Sequence, residues 1–241
     1  MKNKHYILYL FILLSYFGVF GQNSDVSQLL LKSQQYYESQ ASINLLIDYK
    51  LYDAPVNGKL IDEIKGQYIR LHSGCYSKYG YMHTFSTARW YWVIDDQSKV
   101  IYVKDITKEQ NSQATNFSPS LNPDNVGEYL KLYNTVKVNS LSNNEYKILI
   151  SNPTKNHSPF KSIVIWLNNL GEINKLELIY QTTLREMGIE DNDNLPRMVI
   201  SYQTSTAAAP SDILESNKYF TISNSQLKGI GKYQKHTIKN F

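Results

Sequence analysis

The spacing of hydrophobic residues changes along the chain, and each spacing predicts a different element. Between residues 24 and 37 the apolar positions recur every three or four residues, at Val26, Leu29, Leu30 and then Tyr36 or Tyr37. This rhythm is typical of one buried face of a helix, which Ser24 or Asp25 can cap. From residue 43 to 51 apolar and polar side chains alternate, with Leu46 as the exception, which predicts a half-buried strand.

Two later stretches predict antiparallel hairpins. In residues 89–104 two β-prone runs flank the polar turn Asp95 to Ser98, and in residues 163–180 two alternating runs flank a turn at 168–171. Gly66 is expected to open a strand over residues 67–72. Further strand-like runs lie at 76–85, 135–141, 146–150 and 198–204, and a short helix is predicted at 126–133. The pattern predicts one α+β domain with a mostly antiparallel sheet, an N-terminal helix and a short central helix.

The first twenty-one residues have the three parts of a Sec-type signal peptide. Lys2 and Lys4 form a basic start, an apolar run of fifteen residues follows from Tyr6 to Phe20, and Gly21 precedes the expected cleavage point. The competing interpretation is a retained membrane anchor, but the run is shorter than the roughly 20 residues that span a bilayer. Since no cysteine ends the run, lipid anchoring through a lipobox is not expected. We therefore predict a signal peptide at 1–21, a single domain at 22–241 with a polar tail from about 207, and a periplasmic or secreted protein.

Composition narrows the possible partners. Removing residues 1–21 leaves 23 basic and 21 acidic residues, because Lys2 and Lys4 are the only charged residues removed, and the formal charge falls from +4 to +2. With no basic cluster, nucleic acid is not an expected partner. Cys75 is the only cysteine, so no intrachain disulfide can form. No second apolar run is long enough to span a membrane.

Motifs that carry chemistry are missing from the sequence. There is no G-x-S-x-G or G-x-x-x-x-G-K pattern, and the four histidines after the signal have no paired spacing for metal ligation. Cys75 and His83 could form a nucleophile and its base, or Cys75 could be an inert thiol. The acidic loop at 190–194 lacks the glycine and the closing glutamate of a calcium loop. We predict no enzymatic activity, no metal and no cofactor.

Large aromatic side chains recur on the predicted strands, at Trp90, Trp92, Tyr102, Trp166, Tyr180 and Tyr202. They can fill a core between sheet and helix, or they can line a concave sheet face that the helices cover incompletely. In the second case the face would bind an apolar ligand. Alternation puts Trp90 and Trp92 on one face, and we predict Ile165 and Leu178 as the opposite walls of the site.

Three segments carry a family resemblance: Gly66-Gln67-Tyr68-Ile69-Arg70, Trp90-Tyr91-Trp92-Val93-Ile94-Asp95 and Val100-Ile101-Tyr102-Val103. In this order, over roughly residues 24–206, the chain resembles the LolA-like superfamily of periplasmic lipoprotein carriers and lipid-binding proteins. The resemblance implies an unclosed half-barrel that holds acyl chains on its concave face beneath helices. It also implies a ligand-binding role for Arg70, which matches a basic residue near the family's lid. The chain departs from the family at Thr87-Ala88-Arg89, where an Asp-Gly is usual, and in the tail.

These observations lead to one functional hypothesis and two alternatives. The first is an exported, non-enzymatic carrier or binding protein for a lipid or a lipoprotein acyl chain. The second is a structural or interaction protein of the cell envelope that docks a protein partner and binds no small molecule. The third is a hydrolase with a scattered site.

Overall fold

The computed structural model describes residues 24–109, 133–141, 144–153, 159–223 and 226–240. The helix α1 spans Ser24–Ser39, as its apolar rhythm predicts. The strands are β1 (Ile43–Tyr52), β2 (Leu60–Leu71), β3 (Gly74–Tyr79), β4 (Met82–Thr87), β5 (Trp90–Asp95), β6 (Val100–Asp105), β7 (Tyr133–Ser140), β8 (Tyr146–Pro153), β9 (Phe160–Leu167), β10 (Ile173–Tyr180), β11 (Arg197–Thr204), β12 (Phe220–Ser223), β13 (Gln226–Gly229) and β14 (Thr237–Asn240).

Twelve of the strands are hydrogen-bonded in the order β14-β6-β5-β4-β3-β2-β1-β11-β10-β9-β8-β7, while β12 and β13 pair with each other. The hairpins β4–β5, β5–β6, β7–β8 and β9–β10 are antiparallel, and β14 runs parallel to β6. The predicted class is therefore confirmed, an α+β fold with an open, mostly antiparallel sheet and an N-terminal helix. The predicted central helix lies outside the described residues, except that Tyr133 begins β7.

Among the described residues, 24–40, 48–64, 133–141, 144–153 and 159–202 belong to one compact unit, here called the helical unit. In α1 the buried side chains are one helical face, Val26, Leu30, Ser33 and Gln34. The hydroxyl of Tyr37 accepts a hydrogen bond from the backbone N–H of Ile173 at 3.0 Å. Gly171, in the β9–β10 turn, has a φ of +95°, and a Cβ there would lie 2.7 Å from the backbone of Lys32. This close approach of turn and helix requires glycine.

One face of strands β8 to β11 forms the core of the helical unit. Register places apolar residues directly opposite one another on neighbouring strands, with Ile165 between Ile148 and Leu176. The buried members of this face are Ile148, Ile150, Ile163, Ile165, Leu176, Leu178, Met198 and Ile200. The period-two pattern of the sequence therefore identified the inward-facing residues correctly.

The other compact unit, here called the aromatic unit, contains the described residues 41–47, 65–109, 203–223 and 226–240. At the start of β1, Ile43, Leu45 and Ile47 are buried, whereas Leu46, the exception in the alternation, is 44% exposed. The core of this unit combines side chains of β2 to β6 with side chains of the C-terminal residues: Ile69, Tyr76, Phe85, Trp92, Ile94, Ile101, Val103, Leu214, Tyr219, Phe220 and Tyr233.

Strand β2 corrects one sequence-based prediction. Gly66 was expected to open the strand, but β2 begins six residues earlier, at Leu60. The side chains of Leu60, Asp62, Glu63 and Lys65 are exposed. Because ladder hydrogen bonds are made by the backbone, a strand can form where few side chains are buried, and its hydrophobic pattern is then weak.

Candidate ligand site

A row of apolar side chains crosses five strands of the aromatic unit. Register pairs Ile69 with Tyr76, Tyr76 with Phe85, Phe85 with Trp92, and Trp92 with Val103. Directly opposite residues share one face of a sheet. We call this row the aromatic face: Ile69, Tyr76, Phe85, Trp92 and Val103. Phe85 and Trp92 are stacked at its centre, with ring centroids 4.7 Å apart and planes inclined by 6°.

The C-terminal residues 207–223 and 226–240, here called the strap, cover the aromatic face. Tyr219 lies 4.6 Å from the ring of Phe85 and 5.7 Å from that of Trp92, measured between centroids. Phe220 meets Trp92 edge-on at 5.9 Å. As a result Trp92 is fully buried, with 0% of its surface exposed.

The backbone of the strap bonds mostly to itself. The N–H groups of Ile213, Tyr219, Tyr233 and His236 all donate to carbonyls of the strap. Strands β12 and β13 pair only with each other in the described structure. The backbone of the strap is joined to the sheet at its end, where β14 pairs with β6. At its start, the side-chain amide of Asn44 donates to the carbonyl of Ala207 at 2.9 Å. The middle of the strap is therefore held chiefly by side-chain packing.

The indole N–H of Trp92 is an unusual feature of this packing. Its Nε1 is buried and has no hydrogen-bond acceptor among the described residues. A buried donor without an acceptor costs about 1–3 kcal/mol relative to a satisfied one. The centre of the apolar site therefore contains one polar group that could donate to an oxygen atom of a ligand.

Beside the aromatic face, a polar cluster contains side chains from strand β4, from the β5–β6 turn and from the strap. His83 Nε2 lies 3.2 Å from Asp96 Oδ2. His236 Nε2, from the strap, lies 3.5 Å from Asp96 Oδ1, but neither ring nitrogen of His236 makes a hydrogen bond in the described structure. Tyr76 Oη is 2.9 Å from His83 Nδ1. A neutral His83 with its proton on Nε2 satisfies both of its contacts, because Nδ1 then accepts from the Tyr76 hydroxyl and Nε2–H donates to Asp96.

Burial is the main reason why the pKa of His83 lies below its ordinary value of 6.5. Asp96 acts in the opposite direction, while Lys78 and Lys232 lower the pKa further. Burial also raises the pKa of Tyr76 to about 12, which keeps its hydroxyl protonated. A lowered histidine pKa means that the unfolded chain binds protons more readily. The stability contributed by His83 is thus present above pH 6.5 and is lost as the pH falls towards the folded-state pKa.

The structure does not place Cys75 and His83 where they could act together as nucleophile and base. Cys75 pairs with Ser86 and lies on the face opposite to His83, so the two side chains do not meet. Burial raises the pKa of the Cys75 thiol to about 11, the reverse of what activates a nucleophile. Among the residues that the structure describes, no group of three acidic, histidine or cysteine side chains could hold a metal ion. Nor does this part of the chain include a helix with the length and apolarity to cross a membrane.

Comparison with known proteins finds similar solved structures but no similar sequence. No protein-family model matches the chain, and no curated protein matches its sequence. An uncharacterized conserved protein from Thermus thermophilus aligns with a TM-score of 0.44 and 6% identity, over 90% of this chain and 100% of that one. A LolA superfamily protein from Nitrosomonas europaea aligns with a TM-score of 0.32 and 11% identity, over 79% and 97% of the two chains.

A putative outer membrane lipoprotein-sorting protein domain from Vibrio parahaemolyticus gives similar values, a TM-score of 0.31 and 11% identity over 79% of this chain and 96% of that one. TM-scores below 0.5 carry no inference about function.

The structure brings together two of the five residues predicted to bind a ligand. Trp90 and Trp92 lie on the same side of β5, and the ring of Phe220 contacts both, at 5.9 Å from each centroid. Arg70 pairs with Cys75 and lies on the other side of the sheet from Ile69 and the aromatic face. Its guanidinium is therefore not directed to the ring of Trp92.

Ile165 and Leu178 belong to the helical unit and are buried within its core. Each is 1% exposed. Leu178 pairs with Ile163 and Met198, while Ile165 pairs with Leu176, so the two predicted residues are diagonal neighbours on one face. Their role in ligand binding remains a prediction.

Sequence reasoning did not connect Trp92 with the residues that surround it. Phe85, Tyr219 and Phe220 supply most of its ring contacts, and His83, Asp96 and His236 form the neighbouring polar cluster. The adjacent Tyr219 and Phe220 in an otherwise polar tail were the available signal. Their partners are distant in sequence, so no local spacing connects them.

Proposed function

We propose that the protein is an exported, non-enzymatic carrier or binding protein for a lipid or a lipoprotein acyl chain in the cell envelope. The observation that carries the proposal is the aromatic face, an apolar row across five strands with a single unsatisfied donor, Trp92 Nε1, at its centre. Apolar sites with a few polar groups are typical of small-molecule binding. The expected location, periplasmic or secreted, follows from the signal peptide predicted at residues 1–21.

The test is the lipid content of the purified protein. The full chain is produced in a two-membrane bacterium, purified from the envelope fraction without detergent, and extracted for lipid mass spectrometry. We expect an acyl lipid at about one molecule per chain, because apolar burial at roughly 25 cal/mol per Å² retains such a ligand through purification.

Two conservative variants form a matched pair for this measurement. Trp92→Phe removes the indole N–H of the aromatic face and should lower the retained lipid. Trp166→Phe should leave it unchanged, because Trp166 lies in the helical unit under the ammonium groups of Lys147 and Lys175, at 5.0 and 3.7 Å from its ring centroid. A lipid-free protein would favour the alternative of an envelope interaction protein.

A further inference from the structure

We propose that one face of the helical unit docks on an anionic phospholipid membrane, with its basic side chains against the lipid headgroups. This face, here called the outer face, is the side of strands β7 to β11 that is opposite to the buried core of the unit. It recognises headgroup phosphates, so it is distinct from the acyl site proposed on the aromatic face and does not depend on that site.

Positive charge is concentrated in these five strands. Each strand contains one basic residue and the only acidic residue is Glu177, which gives a formal charge of +4. Residues 22–241 as a whole have a formal charge of +2. The basic residues lie far apart in sequence, so no cluster is visible there, and the pairing of the strands brings them together. They are Lys137, Lys147, Lys161, Lys175 and Arg197.

Register and alternation place four of these residues on the outer face. Trp166 follows a buried core residue of β9, so its ring lies on the outer side of the strand. Lys147 of β8 and Lys175 of β10 are directly opposite Trp166 and share its face. The registers of β7 and β11 place Lys137 and Arg197 there as well. Since neighbouring strands lie about 4.8 Å apart, the four basic groups extend over roughly 20 Å.

The basic side chains of the outer face are accessible to a partner. One of the four is exposed and three are half-buried, namely Lys137 and then Lys147, Lys175 and Arg197. Lys175 Nζ lies 3.4 Å from Glu177 Oε1, so this carboxylate offsets one of the four charges. An anionic surface is therefore the partner whose charge complements the outer face.

Trp166 favours a membrane as that surface. The ammonium groups of Lys147 and Lys175 lie 5.0 and 3.7 Å from its ring centroid, so the three side chains form one patch. Tryptophan prefers the bilayer interface, where its ring lies at the level of the headgroups, and a lysine ammonium reaches the phosphates from an apolar stem. The charges are also spread across a sheet instead of gathered in a pocket, which matches a surface of many phosphate groups.

Flotation of the purified protein with lipid vesicles tests the inference. One set of vesicles is pure phosphatidylcholine and the other contains about one third phosphatidylglycerol, so the two differ in charge while both contain acyl chains. We expect binding to the anionic vesicles and at least about tenfold weaker binding to the neutral ones. Raising the salt from about 0.1 M to about 1 M should release the protein, because the Debye length falls from about 10 Å to about 3 Å.

Two double variants of equal charge form a matched pair. Lys147→Gln/Lys175→Gln should weaken binding to anionic vesicles by roughly fivefold for each lysine removed. Lys228→Gln/Lys235→Gln removes two exposed lysines from the aromatic unit and should bind like the parent protein. Lys147→Arg/Lys175→Arg retains both charges beside Trp166 and should also bind like the parent protein, which separates the effect of charge from an effect on folding.

Three outcomes would overturn the inference. Equal binding to neutral and anionic vesicles would do so and leave the proposed acyl site standing, since both kinds of vesicle offer acyl chains. Equal weakening by the two glutamine variants would mean that binding depends on net charge and not on the outer face. Binding to poly-glutamate without binding to anionic vesicles would identify an acidic protein as the partner instead of a membrane.

Discussion

Trp92 and Trp166 show how one residue type can serve two different environments. Trp92 is fully buried among Phe85, Tyr219 and Phe220, whereas Trp166 is half-buried and contacts two lysine ammonium groups. Both lie on strands with alternating patterns, so the local sequence does not distinguish their environments. Their stability contributions should therefore differ for reasons that only the contacts disclose.

Replacing Trp92 with alanine should destabilise the protein by about 3–5 kcal/mol, as expected for a large aromatic residue removed from a packed core. Trp166→Ala, the comparison variant, should cost no more than about 2 kcal/mol, because its ring is partly exposed. Urea unfolding of both variants gives the two free energies. Similar losses for the two would mean that the strap does not seal the aromatic face in solution.

Elements of this chain are positioned by close backbone contacts as well as by apolar faces. The β9–β10 turn meets α1 at Gly171, where the backbone has a left-handed φ and no space for a Cβ atom. The loop before β11 contains a second glycine with positive φ, Gly188 at +69°, but nothing lies within 4 Å of its Cβ position. Substituting each glycine by alanine therefore separates the cost of the backbone conformation from the cost of the steric contact.

Gly171→Ala should destabilise the protein by more than about 2 kcal/mol, since it adds a collision with the backbone of Lys32 to the strain of a positive φ. Gly188→Ala has the conformational strain alone and should cost about 1 kcal/mol. Thermal or urea unfolding measures both. An equal cost at the two positions would contradict the close approach of the turn to α1.

At the level of the whole molecule, export is the most direct prediction from the sequence. Residues 1–21 should be removed when the chain is expressed in a two-membrane bacterium, because a basic start, a short apolar run and Gly21 form a signal peptide. The mass of the mature N-terminus should place Gln22, or a residue within about two positions of it, at the start. An intact Met1 in the membrane pellet would instead indicate a retained anchor.

The sequence by itself determined most of the secondary structure and the fold class. Helix α1, the two hairpins and the alternation of β1 follow from local periods of about 3.6 and 2, which depend on neighbouring residues alone. Strand β2 shows the limit of this reasoning, because four of the six side chains in its first half are exposed and give only a weak hydrophobic pattern.

The candidate site was decided by tertiary structure. Trp90 and Trp92 were identified from alternation, but their cover comes from Tyr219 and Phe220, which lie far along the chain. The cluster of His83, Asp96 and His236 likewise joins three separate elements. Such contacts depend on which segments fold back on the sheet, and that is settled by the burial of apolar surface from the whole chain. Local spacing does not encode it.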